Sequence, residues 1–202
     1  MKQAIERDSP VFISTGVVPV CRMDLTSMEP AKTATDEILW CLGVAAVTGE
    51  FRALLPAQLS RLSSGIVELR ARKKALHDVV ARFDGAAVCA ECRGECCVRG
   101  KYHFSAIDLV VYLQTGRTLF EPRFANGLCP FLGDDGCLMP LEYRPLTCVI
   151  FVCERIEALF APADRKFFSA AENDLRLMYG ELQEIFADRR MRGSVMNYPP
   201  AR

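Results

Sequence analysis

The chain has 202 residues, half of them hydrophobic, with 25 Lys plus Arg balanced by 25 Asp plus Glu. That apolar content supports a packed core and argues against global disorder. The even charge and a pI near 6.7 argue against a nucleic-acid partner, which would call for a basic surplus.

The N-terminal stretch MKQAIERDSPVFISTG is charged and lacks the apolar region of a secretory signal, so a cytoplasmic chain is expected. The longest apolar run, ILWCLGVAAV at 38–47, is too short to span a bilayer, and no membrane partner is expected. Within residues 1–50, read as a partly helical extension, VFISTGVVPV suggests a short strand and TATDEILWCLGVAAV a helix. Cys41 reads there as a small core residue, and Cys21 lies in a polar, irregular stretch. Neither is expected to bind metal.

Residues 51–190 read as a single α domain. Leu55, Leu59, Leu62, Ile66, Leu69, Leu76, Val80 and Phe83 recur at steps of three and four, with Lys73 occupying one slot of the seam. Pro56 suits the start of this helix, and the basic run ELRARKKALHD reads as its solvated face. Phe168, Ala171, Leu175, Met178, Leu182 and Ile185 form a second seam, with Asp164 after Pro162 as a candidate cap. Two seams of this length each need a partner face. The expected fold is therefore mainly α: an antiparallel helical hairpin, with helices near 57–83 and 165–188, carrying a cysteine-rich metal-binding knot at one end. Residues 191–202 carry no periodicity and read as a flexible tail.

Between the helices lie eight of the ten cysteines, in the segment 89–153. In a reducing compartment such density points to metal binding or catalysis, because a disulfide scaffold requires an exported chain. The first group is C-x2-C-x3-C-C, comprising Cys89, Cys92, Cys96 and Cys97, with Gly94 and Gly100 to let the backbone curl. Two cysteines separated by two residues can chelate one ion. The adjacent pair Cys96–Cys97 points apart, so its members serve different ligands or one of them only packs. Ser105 and Asp108 form a capping box ahead of IDLVVYLQT, and Gly116 stops that helix. His103, just before it, reads as part of the loop rather than as a ligand.

Then comes CPFLGDDGCLMPLEYRPLTCVIFVC, in which the DDG turn predicts a short hairpin bringing Cys129 and Cys137 together. Pro145 opens another helix with Cys148 in its first turn, where amide donors favour a thiolate. Cys153 follows near the same face. Arg144 is the candidate to neutralise thiolate charge around a bound cofactor.

CAECRGECC, CPFLGDDGC and RPLTC in this order resemble the three signatures of the YkgJ-type cysteine-cluster family, described as a zinc- or iron-chelating domain. The match covers roughly residues 89–153. The resemblance implies that Cys89, Cys92, Cys96, Cys97, Cys129, Cys137 and Cys148 bind metal, with Cys153 at its margin. One branch of that family is similar to flagellin lysine N-methylases, which are longer than this chain. From the residues alone, eight thiols fill two four-thiolate sites or one cluster with spare sulfurs, and the cofactor is an iron–sulfur cluster or zinc. The single C-x2-C knuckle fits an iron–sulfur cluster somewhat better than a zinc ribbon.

Phosphate-binding glycine loops and the H-x-E element of a zinc deaminase are absent from the sequence. The flanking helix argues against a thioredoxin-like C-x-x-C site. A nucleophilic cysteine would have only His103 as its base. The expected function is a metal-binding protein. The alternative is a cluster-dependent enzyme with a pocket faced by Glu142, Tyr143 or Arg144.

Overall fold

The computed structural model describes residues 35–91, 100–124, 129–133 and 136–198. The expected strand at 11–20, Cys21, Cys92, Cys96, Cys97, the centre of the DDG turn and the last four residues lie outside this set. So does the side chain of Cys89.

The chain is mainly helical, as the two seams indicate. Helix α1 (Asp36–Arg52) starts at Thr35, whose hydroxyl accepts the Ile38 N–H. Helix α2 (Pro56–Ala81) has Pro56 in its first turn, and the Gln58 side chain reaches back to the Leu55 N–H. It buries Leu62, Ile66, Leu69, Lys73, Leu76 and Val79. Each full burial of a leucine or isoleucine contributes about 1.5–3 kcal/mol, so this face dominates the helix's stability. Leu55, expected in the seam, is exposed, because it precedes the first helical turn and does not share its face. Among the described residues no single helix is long and apolar enough to cross a membrane.

Helix α7 (Pro162–Gln183) packs along α2 in the opposite direction. Gln58 bonds to the Ile185 carbonyl, Arg72 pairs with Asp174 and Arg82 with Asp164, so ascending α2 numbers meet descending α7 numbers. Gly65 permits the close approach: a Cβ there would lie 2.7 Å from Leu182. Asp164 is not the residue at the N-cap. It stands one turn in and accepts the Ala161 N–H, 3.2 Å away.

Helix α4 (Ala106–Thr115) has the expected capping box, Ser105 with Asp108, and ends at Gly116, whose φ of 64° requires the left-handed region. It is buried over most of its length. Around its start Trp40, Phe104, Tyr112, Phe120, Phe131 and Tyr143 form a continuous aromatic cluster, with ring centroids 4.9–6.0 Å apart.

The reading of residues 1–50 as a separate extension does not extend to α1. Trp40, Val44 and Val47 are core residues, and α1 packs on α4. Residues 191–198 are likewise packed and not a free tail. Met191, Val195, Met196 and Tyr198 are buried, the Val195 N–H donates to the Phe104 carbonyl, and the Ala106 N–H donates to the Gly193 carbonyl. Gly43 of α1 makes room for this segment, since a Cβ would sit 2.0 Å from the Val195 carbonyl oxygen.

The remaining elements are short: α3 (Gly85–Glu91), a two-residue antiparallel ladder of β1 (Leu132–Gly133) with β2 (Gly136–Cys137), α5 (Leu146–Ile150) and α6 (Glu154–Glu157). Cys89 lies on α3.

Candidate functional site

The helical frame crosses at a buried polar network. Lys73, the odd residue of the α2 seam, is fully enclosed and donates to the Asp108 carboxylate at 3.4 Å and to the Arg144 carbonyl at 2.6 Å. Asp108 also accepts from the Tyr179 hydroxyl and from both the N–H and the hydroxyl of Ser105. Burial pushes the Lys73 pKa down, while the Asp108 carboxylate pulls it up. Burial raises the Tyr179 phenol, with the Asp108 charge acting in the same direction. One network thus ties α2, α4 and α7 to the backbone just ahead of α5, the helix that carries Cys148.

Cys148 is exposed, and its Sγ lies 3.6 Å from the His103 Nδ1. It is close enough to the network for its charge to act on both Lys73 and Tyr179. The five-residue length of α5 makes the helix-dipole gain expected for this thiolate small. His103 closes a tight 3-10 turn, Gly100–Tyr102, with its N–H on the Gly100 carbonyl at 3.0 Å. Burial lowers the His103 pKa. The loop reading of His103 identified its location but missed its partner. The signal in the sequence was only that it stood alone near the cysteines.

The same turn meets the second cysteine loop. A Cβ on Gly100 would lie 2.3 Å from the Cys129 Sγ, so only glycine lets this sulfur rest there. Cys129 is half-buried, which pushes its thiol pKa up, offset in part by a hydrogen bond from the Phe131 backbone. Cys137 pairs with Leu132 across the short ladder and is near enough to Cys129 for its charge to raise that pKa further. Cys153 is half-buried and precedes α6, its carbonyl accepting the Ile156 and Glu157 N–H groups.

Cys129, Cys137, Cys148 and Cys153 are in no disulfide. Cys41 is buried at the α1 face as expected, but it is disulfide-bonded. Among the described residues no three Cys, His, Asp or Glu side chains are grouped to hold one metal ion.

The residues expected to face a cofactor or substrate have other contacts. The Arg144 Nε donates to the Met139 carbonyl at 3.3 Å. A backbone hydrogen bond, and after it the pairing with Arg70 at 3.1 Å, hold the Glu142 carboxyl below the usual range. Tyr143 is buried between two guanidinium groups, Arg70 and Arg117, each 4.8 Å from its ring centre. In comparisons with known proteins, no family model, curated sequence or solved structure matches this chain.

Proposed function

We propose that this protein binds a transition metal, as an iron–sulfur cluster or as zinc, through the thiolates of Cys89, Cys92, Cys96, Cys97, Cys129, Cys137, Cys148 and Cys153. The observation that carries this reading is convergence on residues 100–103. In the sequence only Val98 and Arg99 separate that turn from CAECRGECC, and it touches both later cysteine stretches: Cys129 rests on Gly100, and Cys148 meets His103. Two of the three stretches with the YkgJ-type pattern, CPFLGDDGC and RPLTC, therefore meet at this one turn.

The donors fit the group chemically. Thiolates and imidazole are soft or borderline ligands suited to zinc and to iron–sulfur centres. Cys129, Cys137, Cys148 and Cys153 lie outside any disulfide, so each can supply a thiolate by losing its proton. A bound centre would supply either a structural cross-link or an electron-transfer site. Binding would release thiol protons, and its free energy would add to the stability of the cysteine segment.

The alternative, an enzyme related to lysine N-methylases, calls for a substrate cleft beside the thiols. Glu142, Tyr143 and Arg144 are engaged with Arg70, Arg117 and the Met139 carbonyl, which favours the binding protein. The test is to prepare the full chain anaerobically and assay iron, zinc and acid-labile sulfide. Stoichiometric metal supports the reading. A chain that carries none and takes up none on reconstitution overturns it.

A further inference from the structure

Resting on the metal-binding reading, we propose that His103 is a ligand, and that its Nδ1 and the Cys148 Sγ bind the same ion of a tetrahedral, zinc-type site. This makes the centre a mixed nitrogen–sulfur site and not an all-cysteine one.

The argument begins with distance. Metal–sulfur bonds of roughly 2.3 Å and metal–nitrogen bonds of roughly 2.0–2.1 Å, set at a tetrahedral angle, separate S from N by about 3.6 Å. The Cys148 Sγ and His103 Nδ1 are 3.6 Å apart. The pair therefore already has the length of one edge of a zinc coordination tetrahedron. In a four-iron cubane each iron takes one protein ligand. Two neighbouring ligands then sit on different irons, farther apart than a single-ion edge.

Both donors are held from behind, as ligands must be to keep such an edge. His103 is fixed by its N–H on the Gly100 carbonyl, in a turn that also supports Cys129. Cys148 donates its N–H to the Pro145 carbonyl, and the residue before that proline is anchored through its own carbonyl by the buried Lys73 ammonium. Lys73 acts as a positioning residue, joining the helical core to the loop that presents the sulfur. Outer contacts of this kind commonly orient metal ligands.

The test uses the full chain loaded anaerobically with zinc, read by zinc-edge X-ray absorption, with affinity from chelator competition. The expected shell for the native chain contains nitrogen at about 2.0 Å beside sulfur at about 2.3 Å. His103→Ala should lose that nitrogen and bind zinc at least tenfold more weakly. His103→Cys should recover much of the affinity with a shell of sulfur only. A sulfur-only shell in the native chain overturns the proposal without any variant having to fold. An unchanged shell and affinity in His103→Ala also overturns it. If the native chain instead holds iron with inorganic sulfide, with the same spectrum in His103→Ala, the histidine assignment fails while the metal-binding reading stands. If no zinc or iron binds at all, both fail.

Discussion

Lys73 and Asp108 meet 3.4 Å apart where α2, α4 and α7 cross, with neither side chain reaching solvent. Removing one member of such a pair strands the other charge in a low-dielectric interior, at a typical cost of about 3–5 kcal/mol. Lys73→Met would fill similar volume but leave the Asp108 carboxylate supported only by Tyr179 and Ser105, and the Arg144 carbonyl without this donor. We expect a loss in that range by urea unfolding followed by circular dichroism. Tyr179→Phe removes one hydrogen bond to a charged group and should cost less, about 1.5–3 kcal/mol. A Lys73→Met change below about 1 kcal/mol would be incompatible with a buried, unsolvated pair.

The same pair shows where the sequence was readable. The α2 and α7 seams were legible because apolar residues at a helical period leave a direct trace. Lys73 was visible as a break in one seam, and Asp108 as half of a capping box. Nothing local linked them, since their contact spans 35 positions and depends on how the helices cross. Residues 191–198 were misread for a different reason. They pack through two 3-10 turns of three and four residues, too short to show a period. His103 and Cys148 lie 45 positions apart, so the sequence marks His103 as the one histidine that could serve a cysteine without showing which cysteine it meets.

Tyr112 provides a prediction of opposite sign. Its ring is central to the aromatic cluster, yet its hydroxyl is buried with no hydrogen-bond partner among the described residues. Burial drives the phenol pKa far above its ordinary value. A buried, unsatisfied hydroxyl costs about 1–3 kcal/mol relative to a satisfied or absent one. Tyr112→Phe should therefore be neutral or stabilising, read as an unchanged or higher melting temperature. A loss of more than about 1 kcal/mol would reveal a polar partner that the hydroxyl needs.

Two glycines of α1 separate helix propensity from packing. Replacing an interior helical glycine with alanine ordinarily gains about 1 kcal/mol. Gly49 has nothing within 4 Å of where the Cβ would go, so Gly49→Ala should show that gain. At Gly43 the Cβ would collide with the Val195 backbone, which cannot rotate aside as a side chain can. Overpacking of this kind typically costs about 1–3 kcal/mol, so Gly43→Ala should be destabilising on balance. Side-by-side thermal melts decide the matter. If both substitutions stabilise equally, residues 193–198 are not packed on α1.

His77 ties the acid behaviour of the protein to the same loop. It is half-buried on α2, and burial lowers its pKa first, followed by the positive charge of Arg144. Lys74 adds to that lowering, while Asp78 opposes it. In the unfolded chain a histidine titrates near 6.5. Below that pH the unfolded state takes up a proton that the folded state resists, so the unfolded state binds more protons and unfolding becomes easier. The His77 contribution is therefore flat above about pH 6.5 and turns against the fold as pH drops from there through the lowered folded value. His77→Gln should remove part of this slope without changing stability at pH 8. Arg144→Gln should move the His77 pKa upward, because it takes away the second-largest cause of the lowering. Imidazole proton shifts followed by NMR across pH 4–8 read both values directly. A His77 pKa above about 6.5 in the native chain would mean that neither burial nor the Arg144 charge acts on it as described.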